Sequence, residues 1–172
     1  MASKTAVITL AGEGLRFVAR SGSGHDIVLD DGRGDIGMRP SELVPIAVAG
    51  CTAMDVISIL RKKRQVVSNY EVHASGAQQH DHPNAFTRID VVHVIEGPAI
   101  DAEAARRAIE LSATKYCAVG ATLSTGMTEI HHAYVVRVPG GADRTGDVIV
   151  TGPSESTDAL AARDMTAPVV LI

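Results

Sequence analysis

Polar and apolar positions alternate from the start of the chain. Val7, Thr9 and Phe17 set the alternation, Gly12 and Gly14 break it, and Ser21-Gly22-Ser23-Gly24 breaks it again before an apolar stretch over 25–29. Alternation of this kind predicts half-buried strands, and the glycine clusters predict tight turns. Residues 1–40 therefore read as a small antiparallel sheet ending in a Gly- and Asp-rich loop. From Ser41 to Arg64 the period becomes helical: Leu43, Ile46, Ala47, Cys51, Met54, Ile57 and Leu60 recur at helix spacing, with Val44, Val48 and Val56 between them. A helix apolar nearly all round is buried on most sides. Pro45 lacks an N–H, so the helix is expected to start or bend there. Arg61-Lys62-Lys63-Arg64 ends it where the helix dipole favours cations.

Strands are predicted next over 70–78 and 86–95, around the loop His80-Asp81-His82-Pro83-Asn84. A second helix follows over 101–115, with Asp101 as its N-cap, and a last strand over 128–138. This order predicts an α+β fold, with antiparallel sheets around a long buried central helix. The predicted domain covers 1–138. Residues 139–172 read as a C-terminal extension with short apolar pieces at Val148-Ile149-Val150 and 169–172. So apolar a helix is hard to enclose in one short chain, and a homodimer packing two copies together is expected.

Composition narrows the function. Apolar residues make up 45% of the 172 and charged residues 21%, which is globular composition. With a formal net charge of −4, 3% aromatic residues and no Trp, the chain has no basic excess for phosphates and few rings for stacking bases. Nucleic acid is not expected as a partner. The apolar run over 43–60 is interrupted by Pro45, Thr52, Asp55 and Ser58; charge at the centre of a membrane span is costly, so a buried helix is expected and no membrane association. The N-terminal stretch lacks the continuous apolar core of a secretory signal, and two cysteines are not a disulfide framework. A cytoplasmic location is expected. The adjacent His131 and His132 point to opposite faces of a strand, so neither a metal nor another cofactor is expected.

What chemistry remains rests on Cys51, early in the long helix, and Cys117, at the end of the second. Such a pair is either inert or cycles between dithiol and disulfide, with Cys51 as the attacking thiolate. The surrounding text favours the cycle. The stretch PSELVPIAVAGCTAMDVISILRKKR, then FTRID, then RRAIELSATKYCAVGATL closely resembles the family of osmotically inducible protein C and organic hydroperoxide resistance proteins (OsmC/Ohr). The likeness runs over 5–137 and is greatest to the OsmC-like branch carrying AGCxAxDVxxIL and LSxxKYC.

That resemblance implies an intertwined homodimer with the site at its interface. It also implies thiol-dependent reduction of organic hydroperoxides, without cofactor, and recycling by a dithiol reductant such as a lipoyl group. Cys51 matches the peroxidatic cysteine and Cys117 the resolving one. An arginine from the N-terminal strands, matched by Arg16 with Arg20 and Arg39 as alternatives, would hold the thiolate, and a glutamate would fix the arginine. The family glutamate lies ten residues before the cysteine, where this chain has Ser41; Glu42 is its nearest match. One residue turns a helical side chain by about 100°. Asp55 lies one helical turn beyond Cys51, where a carboxylate raises a thiol pKa unless neutralised; a cation partner, within the chain or across the dimer, is expected for it. The other reading is a non-catalytic dimer that binds a small apolar ligand or a protein partner at the same interface.

Overall fold

The computed structural model describes residues 3–153. The chain divides into two compact units at Val44 and Pro45. In the first, β1 (Ala6–Leu10), β2 (Phe17–Ser21) and β3 (Asp26–Leu29) form an antiparallel sheet in the order β1-β2-β3. Val7, Ile8 and Leu10 are exposed on it. A 3₁₀ turn, Pro40–Glu42, leads into α1 (Leu43–Lys62). Pro45 falls in the first turn of α1, where its missing N–H costs nothing.

At its other end α1 closes in a Schellman motif. The Arg64 N–H donates to the Arg61 carbonyl and the Gln65 N–H to the Leu60 carbonyl, each at 3.0 Å. Arg64 takes the left-handed conformation this requires, with φ of 58°. The helix therefore ends two residues before the predicted limit.

The second unit is built on a four-stranded sheet, β4 (Asn69–Gln78), β5 (Phe86–Glu96), β6 (Glu129–Arg137) and β7 (Arg144–Thr151), in that order. β4–β5 and β6–β7 are antiparallel, but β5 and β6 run parallel. The sheet is thus mixed, unlike the antiparallel sheets read from the sequence. A parallel pair needs a crossover, and here it is α2 (Ala102–Leu111), a π-helical turn (Ser112–Tyr116) and α3 (Ala118–Ser124). The apolar piece at Val148-Ile149-Val150, read as part of an extension, lies in the second half of β7. The piece at 169–172 lies outside the described residues.

The core joins Val56 and Leu60 of α1 to Ile95, Ile100, Ala105, Ala108, Ile109 and Val136. Asp101 caps α2 as expected, accepting the Glu103 N–H at 3.0 Å. On α1 the buried residues are Val48, Thr52, Val56 and Leu60, one stripe at four-residue spacing. Ile46 and Met54 are 52% and 74% exposed. By length and composition the stretch Pro40–Lys62 is apolar enough to cross a bilayer; its stripe packs instead on the sheet and crossover of this α+β fold.

Candidate active site

The π-helical turn sets the position of Cys117. Its N–H donates to the Ser112 carbonyl, five residues back, at 2.9 Å, so the turn is one residue wider than an α-helical one. Single π turns of this kind recur at functional sites. Cys117 then caps α3: its Sγ accepts the Gly120 N–H at 3.2 Å. A side chain at Gly120 would crowd that sulfur, its Cβ lying 3.3 Å from Sγ.

Cys117 is 3% exposed and Cys51 is half-buried, and both are free thiols. Cys51 lies near enough to Cys117 to act on its ionisation. Burial foremost, then Cys51, push the Cys117 thiol up to about 12 against the opposing Gly120 N–H, and the charge of Asp55 adds a smaller upward push. Cys117 is therefore held protonated and is a poor first nucleophile. The more open Cys51 is the thiol a solvent-borne oxidant reaches.

Among the described residues no cation pairs with Asp55. Its Oδ2 accepts a hydrogen bond from the Ser112 hydroxyl at 3.0 Å, and the same hydroxyl lies 3.0 Å from Thr52 Oγ1. This tie joins α1 to the turn before Cys117. The Asp55 charge also reaches Tyr70, whose phenol is raised above its ordinary value, chiefly by burial and then by Asp55.

Tyr70 opens a buried polar column that the sequence reading did not single out. Its hydroxyl lies 2.7 Å from His93 Nδ1, and the His93 ring stacks between Tyr70 and His132, with centroids at 6.0 and 5.9 Å. His93 is 0% exposed. Burial, and then His132, hold its imidazolium well below the ordinary range; burial, and then His131, lower His132 to about 4. The two neighbouring histidines do face opposite ways. His132 joins the column, while His131 Nε2 lies 3.0 Å from Glu129 Oε2.

The remaining candidates lie in the first unit. Arg16 precedes β2 and donates from Nε to the Ala11 carbonyl at 2.9 Å. Arg20 pairs with Asp26 across β2 and β3 at 2.8 Å. Glu42 accepts the Arg39 N–H at 2.7 Å and pairs with the Arg39 guanidinium at 3.2 Å. Among the described residues Glu42 thus serves Arg39 and the start of the helix, and it is not paired with Arg16.

An α+β fold that sets an open thiol against a buried one describes a small dithiol protein. The comparison with known families makes this specific: the chain belongs to the OsmC-like family, whose model matches residues 32–145. It is 40% identical over 124 residues to protein YhfA of Escherichia coli K12, an alignment covering 72% of this chain and 92% of YhfA. A hypothetical protein from Aquifex aeolicus VF5, solved by crystallography, is 27% identical at a TM-score of 0.69, covering 80% of this chain and 98% of that one. The organic hydroperoxide resistance protein OhrB of Bacillus subtilis shares the fold at 15% identity and a TM-score of 0.53, covering 77% and 98% of the two chains.

Proposed function

We propose that this protein is a thiol peroxidase that reduces organic hydroperoxides through a Cys51–Cys117 dithiol–disulfide cycle. The observation that carries the reading is the pairing of two free thiols, a half-buried Cys51 and a buried Cys117 whose ionisation Cys51 affects, the inner one held protonated. The Cys51 thiolate attacks the distal peroxide oxygen, the O–O bond breaks, and the alkoxide leaves as the alcohol after taking a proton. Cys51 is left as the sulfenic acid. Cys117 attacks that sulfur, the S–O bond breaks, and hydroxide leaves with the Cys117 proton as water. A dithiol, such as a lipoyl group, then reopens the disulfide by exchange. Such a cycle suits a reducing, cytoplasmic compartment.

The test is consumption of cumene hydroperoxide by the reduced protein, with thiols counted by mass spectrometry. The parent should lose both thiols to one intramolecular disulfide, and Cys51→Ser should lose activity. Cys117→Ser should stop at a sulfenic acid that dimedone traps. Equal consumption by parent and Cys51→Ser rejects the reading.

Two arginines compete for the supporting role: Arg16 by its place in the family pattern, Arg39 because it holds Glu42. Replacing each in turn with Met separates them, since loss of the working arginine lowers the rate of Cys51 oxidation and loss of the other does not. The same reading includes a homodimer. It is supported by the apolar face of α1 left open at Ile46 and Met54 and by the exposed apolar residues of β1. Met54→Lys should shift sedimentation from dimer towards monomer.

A further inference from the structure

Asp55 is the one charged side chain of α1 between Leu43 and Leu60. A carboxylate there disfavours any thiolate near it, and a chain built only to ionise its cysteines would do better without it. Its observed bond gives it another task. Ser112 starts the π-helical turn, its carbonyl accepts the Cys117 N–H at 2.9 Å, and its hydroxyl donates to Asp55 at 3.0 Å. One residue thus grips the backbone of Cys117 and the helix of Cys51 together.

We infer that Asp55 is a positioning residue for disulfide closure: through Ser112 it holds the Cys117 turn at the distance from α1 at which the buried thiol meets an oxidised Cys51. The inference deepens the peroxidase reading and rests on it for the oxidant, but the closure itself can be driven without peroxide. Two effects of Asp55 have opposite signs. Its bond to Ser112 favours closure by orientation, and misplacing reacting atoms by about 1 Å can cost a hundredfold in rate. Its charge opposes closure by keeping Cys117 protonated. Removing the side chain therefore slows closure only if position outweighs charge.

The test compares full-length parent, Asp55→Ala and Asp55→Asn. Alanine removes the acceptor while favouring the helix; asparagine keeps a carbonyl oxygen for the Ser112 hydroxyl without the charge. Each is oxidised with one equivalent of cumene hydroperoxide and, separately, with diamide. Diamide adds a thiol across its N=N bond, and the second thiol displaces the resulting hydrazine to form the disulfide. Quenched mass spectrometry follows modification of Cys51 and appearance of the disulfide as separate steps.

The expected result is closure at least tenfold slower in Asp55→Ala relative to Cys51 modification, with both oxidants, and recovery to within threefold of parent in Asp55→Asn. The sulfenic acid should accumulate in the first variant. Ser112→Ala cuts the same bond from its other end and should repeat the slowdown should Asp55→Ala fold poorly. Parental closure in folded Asp55→Ala or Ser112→Ala overturns the inference. Closure as slow in Asp55→Asn as in Asp55→Ala also overturns it, because the bond would then be irrelevant. If diamide gives the expected pattern while the parent does not consume peroxide, the positioning role stands and the peroxidase reading falls.

Discussion

The column of Tyr70, His93 and His132 should make the fold sensitive to acid. His93 and His132 are buried as neutral rings, and in the unfolded chain each would ionise near the ordinary value of 6.5. A group whose folded pKa is depressed in this way contributes nothing to instability above 6.5. Below it, the unfolded state binds a proton that the folded state refuses, so stability falls with pH until the folded group also titrates. For His132 that interval runs from 6.5 down to about 4, worth about 3 kcal/mol at roughly 1.4 kcal/mol per decade. His93, also held neutral by burial, acts in the same direction as the pH falls below 6.5. Two protons taken up together give a slope of up to about 2.7 kcal/mol per pH unit, against a total of about 5–15 kcal/mol for a typical domain.

The chain has no Trp, so urea unfolding is best followed by far-ultraviolet circular dichroism, at fixed protein concentration and at half-unit steps from pH 7.5 to 4.5. His132→Leu should reduce the slope between pH 6.5 and 4.5 by about 1.4 kcal/mol per unit, one proton's worth. Exposed carboxylates paired with arginine, such as Asp26 and Glu103, lose their pairing in acid equally in parent and variant, so they cancel in the difference. Stability constant to within about 0.5 kcal/mol from pH 7 to 4.5 in the parent, or an unchanged slope in His132→Leu, would refute the reasoning, since a buried neutral pair must respond by more than that.

Three substitutions test the scaffold by thermal or urea unfolding. Leu60→Ala empties a fully buried position in the core below α1 and should cost about 2–5 kcal/mol. Gly97→Ala would drive a Cβ into the backbone carbonyl of Val66; that group cannot swing aside as a side chain would, and a loss of about 1–3 kcal/mol is expected. Arg64→Gly removes the left-handed penalty at the end of α1, at a φ of 58°, and should stabilise the protein by about 1 kcal/mol.

The elements most legible in the sequence were those whose pattern is local. Alternation in 70–78 and helical spacing in 43–60 correspond to β4 and α1 to within two residues. Where non-local contacts decide, the text was silent. Arg64 closes α1 in a conformation that glycine would have advertised. The second helix reads evenly through LSATKY, yet it widens to a π turn at Ser112, where the hydroxyl meets Asp55 and Thr52. β7 was hidden because its short apolar piece sits in a Gly-, Pro- and Ser/Thr-rich stretch, and its pairing with β6 is made only in the fold. The buried histidines had one available signal: His93 sits inside Val91-Val92-His93-Val94-Ile95, a run apolar on both sides, as in a strand covered on both faces. Both cysteines could be found from their motifs. Their mutual approach could not, because it depends on how the crossover docks on α1.

The buried stripe of α1 divides its work along the helix. Val56 and Leu60 pack on the apolar core, whereas Thr52, between Cys51 and Asp55, faces the hydroxyl of Ser112. Hydrogen bonds exchanged with water in the unfolded state add only about 1 kcal/mol each to stability, so the polar end contributes geometry more than free energy. Stability and chemistry should then respond to different residues on one helix. Leu60→Ala should lower the unfolding midpoint while leaving the ratio of disulfide closure to Cys51 oxidation as in the parent. Asp55→Ala should alter that ratio with an unfolding midpoint close to the parent's. A chain in which every loss of closure rate tracked the loss of stability would place the Asp55–Ser112 bond in the scaffold and not in the site.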